Sequence, residues 1–169
     1  MAKSISGFDI WGRILKEFNN KKLEYVLVGA AALVVHGFPR STLDIDVYIP
    51  AKEKSLLKLF KIADSLNLHS PQKDILKISA LPHFYAGQWV CFSYKNYDVL
   101  DVFLCGEEEF RNLYKNSEVK RDKTLSVRVA SLESIKKMKA SSGRPVDLAD
   151  LQMIKDAKRY KEAGKKRKK

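Results

Sequence analysis

Two aspartates one residue apart, Asp44 and Asp46, are the residues of this sequence best suited to carry chemistry. They lie in the segment LDIDVYIP, whose alternation is typical of a β-strand. Successive side chains of a strand point to opposite sides, so we expect both carboxylates on one face and Leu43, Ile45 and Val47 on the other. Two carboxylates roughly 6.5–7 Å apart at Cα repel each other unless a cation lies between them, and Mg²⁺ prefers such oxygen ligands. The pair therefore predicts half of a site for a metal and a phosphate.

A turn that would admit the phosphate lies upstream of this pair. An apolar strand is predicted over residues 25–28, followed by Gly29 and a short helix over residues 30–36. Glycine at such a turn lets phosphate approach the backbone closely, and the free N–H groups at the start of a helix favour a bound anion. Gly37 predicts the end of the helix. The order of strand, glycine turn, helix and paired aspartates is more specific than any of its parts.

This order resembles the nucleotidyltransferase superfamily related to DNA polymerase beta. The sequence is most similar to a small prokaryotic branch of lincosamide-resistance-like and toxin-like enzymes, with the pattern Gly-Gly-x-Ala-x-x-x-His-Gly-x-x-Arg-x-Thr-x-Asp-Ile-Asp. One position departs from that pattern, because Ala30 replaces the second Gly or Ser and offers no hydroxyl to a phosphate. The positions that match are Gly29, Ala32, His36, Gly37, Arg40, Thr42, Asp44, Ile45 and Asp46.

The resemblance implies an enzyme that transfers a nucleoside monophosphate from an NTP to a hydroxyl group and releases pyrophosphate. It implies two Mg²⁺ ions, or Mn²⁺ in their place, with Asp44 and Asp46 as catalytic residues and metal ligands. Arg40 would stabilise phosphate charge. The nucleotide-binding positions implied in the first part of the chain are Gly29, Ala30, Arg40 and Thr42.

The resemblance also implies a third carboxylate on a later strand, and the apolar segment 97–105, YDVLDVFLC, contains Asp98 and Asp101. In a regular strand these two side chains face opposite sides. Asp101 lies between Leu100 and Val102, where a buried carboxylate without a cation would be costly. We therefore predict Asp101 as the third metal ligand and catalytic residue, and Asp98 as a residue of the strand start. The alternative for Asp101 is a strand acid held by a salt bridge.

A second matching segment lies near the end of the chain. Residues 139–151, KASSGRPVDLADL, resemble the Lys-x-x-x-x-Gly-Arg-x-x-Asp-x-x-Asp-Leu segment that follows the core in the same branch. Lys139 and Arg144 are therefore candidate nucleotide-binding residues, with a surface role as the alternative. Asp147 and Asp150 stand three apart on one helix face. For these two acids we favour a solvated face or an ion pair with Arg144.

Hydrophobic periodicity predicts one α/β domain of the α+β type over residues 1–164, with a mixed sheet flanked by helices. The C-terminal helices are expected to pack on the same unit. Residues 84–94 and 97–105 predict a hairpin around Lys95 and Asn96. Further strands are predicted over 25–28, from Leu43 onward and over 125–130, and helices over 8–18, 30–36, 52–66, 107–114, 132–140 and 145–161.

The chain is strongly basic, with a net charge of +12. Residues 165–169 are all basic and are predicted to be a disordered tail, but they account for less than half of this charge. A basic body suits a polyanion such as an NTP or RNA, and a lysine-rich solvated surface is the alternative. Cys91 and Cys105 lack the spacing of a zinc site and are predicted to be buried, reduced thiols. The longest apolar run has 11 residues, too few for a membrane span, and we expect a cytoplasmic protein.

Motifs missing from the sequence narrow the chemistry. It contains no Gly-x-x-x-x-Gly-Lys-Ser/Thr loop, no Gly-x-Gly-x-x-Gly fingerprint and no Gly-x-Ser-x-Gly elbow, which argues against a P-loop ATPase, a Rossmann dehydrogenase and an α/β-hydrolase. The acceptor stays open among an RNA such as tRNA, a protein hydroxyl and an aminoglycoside- or lincosamide-like small molecule. The toxin-like relatives also imply an antitoxin-like partner protein. The alternative function is a non-catalytic RNA- or protein-binding module that keeps the fold.

Overall fold

The computed structural model describes residues 7–166, which form six helices and six strands. Two short 3-10 helices, Lys73–Ile78 and Pro82–Phe84, precede the third strand. In chain order the elements are α1 (Gly7–Asn20), β1 (Val26–Val28), α2 (Gly29–Val35), β2 (Ile45–Pro50), α3 (Glu53–Ser65), β3 (Trp89–Tyr94), β4 (Tyr97–Cys105), α4 (Glu107–Lys115), β5 (Ser117–Arg121), β6 (Ser126–Ala130), α5 (Leu132–Ser142) and α6 (Pro145–Lys166).

The six strands form one mixed sheet in the order β3-β4-β2-β1-β6-β5. Strands β2 and β4 are parallel, as are β1 and β6, and the remaining neighbours are antiparallel. The predicted mixed sheet with flanking helices is therefore confirmed. Strands β2 and β4 share a long register in the middle of the sheet. The predicted site residue Asp46 lies on β2, and Asp101 lies on β4.

Strands β3 and β4 form the predicted hairpin. Its two turn residues, Lys95 and Asn96, have φ values of +48° and +66°. Positive φ at both central residues is typical of a type I′ turn, whose twist matches that of the flanking strands. The turn thus sets the starting register of β4 against β3.

One face of β2 lies in the hydrophobic core. Alternate residues of β2, namely Ile45, Val47 and Ile49, are at most 1% exposed, whereas Asp46 and Tyr48 between them are half-buried. The period of two places these sets on opposite faces of the sheet. Helices α1 and α3 add their buried stripes to the core, with Ile10, Ile14 and Phe18 from α1 and Leu56, Leu59 and Ile62 from α3.

Three boundaries differ from the predictions. Strand β2 begins at Ile45, and Leu43 is 86% exposed, so the prediction that Leu43 shares the buried side of this strand is wrong. The segment predicted as a strand from residue 84 becomes a strand only at Trp89. Strand β5 was not predicted, because its sequence, SEVKR, is almost wholly polar and exposed at the sheet edge.

The chain divides into two compact units, the first ending at Ser131 and the second beginning at Leu132. The second unit consists of α5 and α6, which pack against each other. The predicted packing of these helices on the sheet stays a prediction. Helix α6 includes the first two residues of the predicted tail, and residues 167–169 lie outside the described part of the chain. Between residues 7 and 166, no helix combines the length and the apolar character that crossing a membrane requires.

Candidate active site

The turn between β1 and α2 is shaped around the side chain of Asp46. Gly29 has a φ of +67°, and a Cβ atom built on it would lie 2.0 Å from Oδ2 of Asp46 and 2.8 Å from its Cγ. Glycine is therefore required here both by the left-handed backbone and by the missing side chain. The carboxylate of Asp46 lies directly against the predicted phosphate-binding turn.

Asp46 and Asp101 are neighbours in the sheet. They are register partners on the parallel strands β2 and β4, so their Cα atoms are about 4.8 Å apart and their side chains share one face. On the other side of Asp101, its register partner on β3 is Cys91. All three side chains are half-buried. The pairing brings together two of the three predicted metal ligands.

Asp44 lies just before β2 and is positioned by Thr42. The hydroxyl of Thr42 donates hydrogen bonds to Oδ1 of Asp44 at 2.9 Å and to the Asp44 carbonyl at 3.1 Å. Thr42 is a predicted nucleotide-binding residue, and in the structure its hydroxyl contacts a candidate metal ligand. An Asx- or Thr-containing turn before a strand often carries such a bond, and this signal was present in the sequence.

The pKa of Asp101 is raised above its ordinary value. Partial burial is the largest cause, and repulsion from the carboxylates of Asp44 and Asp98 adds to it. Three acids therefore lie within electrostatic reach of one another on this part of the sheet. An all-oxygen, anionic set of ligands suits a hard cation such as Mg²⁺.

Asp98 and Asp101 lie on the same face of β4. Phe92 pairs with Leu100 but Ser93 pairs with Asp98, so the register shifts by one residue and Val99 is extra. Because Asp98 is opposite Ser93 and Asp101 is opposite Cys91, two residues away on β3, this bulge gives the two acids the same orientation. The prediction of opposite faces assumed a regular strand and is wrong. Asp101 is nevertheless the acid in register with Asp46.

The remaining candidates of the first unit lie in α2, at its end or in the loop that follows it. Ala30 is in the first turn of α2 and is half-buried. Arg40 lies in the loop between α2 and β2, where its Nη1 donates a hydrogen bond to the Ser41 carbonyl at 3.2 Å. His36, at the end of α2, lies 2.8 Å from the Ala130 carbonyl through Nε2 and so ties α2 to β6.

Lys139 and Arg144 belong to an ion-pair cluster within the second unit. Nζ of Lys139 is 2.8 Å from Asp147 and 2.7 Å from Asp150, and Nε of Arg144 is 2.7 Å from Asp147. The two acids are 2% and 4% exposed, so the solvated face is wrong for both, and the ion pair with Arg144 is confirmed for Asp147. Burial alone would raise the pKa of Asp147, but hydrogen bonds from Arg144, Lys139 and Ser142 outweigh it and hold the pKa well below its usual range. The nucleotide-binding role of the two bases stays a prediction.

Asp44, Asp46 and Asp101 do not converge as a complete set of metal ligands. In the described part of the chain, no three His, Cys, Asp or Glu side chains converge as a ready metal site. Both cysteines are free; Cys105 is buried as predicted, and Cys91 is half-buried.

Comparisons with known proteins identify the family and the fold. The family described as "Nucleotidyltransferase of unknown function (DUF6036)" matches residues 12–155. A protein of Thermotoga maritima, itself only proposed to be a nucleotidyltransferase, has a similar structure, with a TM-score of 0.59, 14% identity and coverage of 89% of this chain and 92% of the other. An antigenic nucleotidyltransferase-like protein of Paracoccidioides brasiliensis gives a TM-score of 0.56 at 14% identity, covering 89% and 75%. These identities show a common fold alone, and a search of curated proteins found no match.

Proposed function

Because the chain belongs to this nucleotidyltransferase family, we propose that it transfers a nucleoside monophosphate from an NTP to an acceptor hydroxyl. The observation that carries the proposal is the row made by Gly29, Asp46 and Asp101. It places a side-chain-free turn, a carboxylate packed on that turn and a second carboxylate side by side on adjacent strands.

The proposed reaction is an in-line displacement at the α-phosphorus of the NTP. The acceptor oxygen forms a new bond to phosphorus, the bond to the bridging oxygen breaks, and pyrophosphate leaves. Asp101 accepts the proton of the acceptor hydroxyl. Asp44, Asp46 and Asp101 would hold Mg²⁺ or Mn²⁺, which would neutralise charge on the phosphates.

The chain's own residues position the triphosphate. The turn at Gly29 and Ala30 presents backbone N–H groups at the start of α2, and no side chain at Gly29 separates them from Asp46. Arg40 would pair with phosphate oxygens and stabilise the charge that develops on them. Thr42 holds Asp44 in place through its hydroxyl, and its contact with the nucleotide stays a prediction.

Transfer of labelled nucleotide tests the proposal. Each labelled NTP is incubated with the protein, Mg²⁺ and either total RNA or a cell lysate, and the labelled fraction identifies the acceptor class. We expect label with the parent protein and none with Asp46→Asn, which removes a ligand but keeps the shape of the side chain. Equal labelling by both proteins would refute the assigned site. RNA binding without labelling under any condition would favour a non-catalytic binding module.

The finer parts of the prediction remain proposals. The lincosamide-resistance-like or toxin-like branch, an antitoxin-like partner and a cytoplasmic location rest on sequence resemblance or composition. Co-purification of the natively expressed protein would test for a stable partner.

A further inference from the structure

A row of aromatic side chains lies beside the carboxylates on the same face of the sheet. Tyr48 on β2 is the register partner of Phe103 on β4, and Phe103 is the partner of Trp89 on β3. Tyr48 and Phe103 follow Asp46 and Asp101 by two residues, so the aromatic row runs parallel to the carboxylates at roughly 6.5–7 Å along the strands.

The rings of Tyr48 and Phe103 face each other, and the exposed ring of the row is that of Trp89. Those of Tyr48 and Phe103 are stacked, with centroids 5.1 Å apart and planes inclined by 20°. Trp89 continues the row on β3, the edge strand, and is 50% exposed. Every base has a flat face that can stack on such a surface, and sheet faces bearing aromatic rings are a common way of binding single-stranded RNA.

We propose that the row of Tyr48, Phe103 and Trp89 is a stacking platform whose exposed ring, Trp89, receives the terminal nucleobase of a single-stranded RNA acceptor. This inference rests on the proposed nucleotidyl transfer and names its acceptor. The chain's net charge of +12 is complementary to the phosphate backbone of such an acceptor.

The position of Trp89 distinguishes the acceptor from the donor NTP. The strand order β3-β4-β2-β1 separates Trp89 from the Gly29 turn, which follows β1, by three strand spacings, roughly 14 Å. The triphosphate is assigned to the Gly29 turn, and Asp101 on β4 lies between the two. A base on Trp89 therefore belongs to the molecule whose hydroxyl approaches Asp101.

Tryptophan fluorescence can test the stacking directly. The chain has two tryptophans, and Trp11 is only 8% exposed, so the variant Trp11→Phe leaves Trp89 as the single reporter. The titrants are a short unstructured RNA, inorganic polyphosphate and each NTP, all without Mg²⁺. We expect quenching by RNA, little by NTP and none by polyphosphate. Equal quenching by RNA and polyphosphate would overturn stacking, and quenching by an NTP alone would assign the platform to the donor.

A second test measures the affinity for labelled RNA and leaves Trp11 unchanged. Anisotropy should show that Trp89→Ala weakens RNA binding about 5- to 100-fold, whereas Trp89→Phe retains a stacking ring and binds within a few-fold of the parent. Tyr160→Ala, which removes an 80% exposed ring in the second unit, is the control and should bind as the parent does. Parent-like binding by Trp89→Ala would overturn the proposal.

The outcomes separate this inference from the proposed function. RNA binding is measured without NTP or Mg²⁺, so stacking can be found even if no transfer occurs. Transfer of label to a protein or a small molecule, with no RNA-dependent change at Trp89, would uphold the transferase and refute the RNA platform.

Discussion

Substitution of Gly29 by alanine should separate the geometry of the site from the stability of the fold. The added Cβ atom would lie 2.0 Å from Oδ2 of Asp46, against the 3.4 Å at which ordinary contact begins, so the carboxylate must move by more than 1 Å. A displacement of about 1 Å in a catalytic group can lower the rate about 100-fold. We therefore expect at least this loss of nucleotide transfer.

The same substitution strains the backbone. A left-handed conformation costs alanine about 1–2 kcal/mol relative to the right-handed one. At about 2–4 °C per kcal/mol for a chain of this size, the Tm should fall by about 2–8 °C. Thermal unfolding followed by circular dichroism measures this shift.

Gly37→Ala is the matched control. Gly37 has a φ of +86°, but a Cβ atom built there would meet nothing within 4 Å. It should therefore lose similar stability and keep its transfer activity, measured with labelled NTP and the acceptor that the labelling experiment identifies. If Gly29→Ala lost no more activity than Gly37→Ala, contact between the turn and Asp46 would not matter for the reaction, and the reasoning would fail.

Three further predictions concern the carboxylates and the buried ion pairs. Thr42→Val should reduce transfer about fivefold, because one hydrogen bond to Asp44 contributes about 1 kcal/mol; a parent-like rate would mean that Asp44 is positioned otherwise. Asp101→Asn should abolish transfer but raise the Tm in metal-free buffer at neutral pH, since a carboxylate whose pKa is raised by folding opposes folding above its unfolded pKa. This gain in Tm should disappear in acid, where the carboxyl is neutral in both states. Asp98→Asn should retain activity; loss of activity in Asp98→Asn but not in Asp101→Asn would assign the catalytic role to Asp98. Lys139→Met should cost about 3–5 kcal/mol in denaturant unfolding because buried Asp150 and Asp147 both lose their ion pair with Lys139, while Asp147 retains Arg144 and Ser142; a loss below about 1 kcal/mol would contradict this.

Local sequence patterns were enough to predict most helices and strands and to place the candidate site residues on them. The alternation around Asp46, the turn residues Lys95 and Asn96 and the apolar stripe of α1 each depend on neighbours in sequence, and the structure agrees with all of them. The aromatic row could also have been found, because Tyr48 and Phe103 repeat the spacing of two from a predicted site aspartate.

Features set by distant partners escaped the sequence analysis. The bulge at Val99 shifts the register of β4 against β3, and no local pattern signals it. Strand β5 is held by backbone pairing with β6 and has no apolar alternation. The burial of Asp147 was not predicted, because it depends on Lys139, which lies on a different helix.

The parallel pairing of β2 with β4 also has a consequence for how the protein acquires its activity. A slip of one residue in this register would turn Asp101 to the opposite face and leave Asp46 beside an apolar residue. The two strands are separated in sequence by α3 and β3, so their contact is non-local and forms only when much of the sheet has assembled. A cation held by both carboxylates would bind the folded chain and not the unfolded one, and would stabilise it by mass action. Cation binding would thus favour the correctly aligned sheet, and a misaligned chain would be inactive rather than partly active.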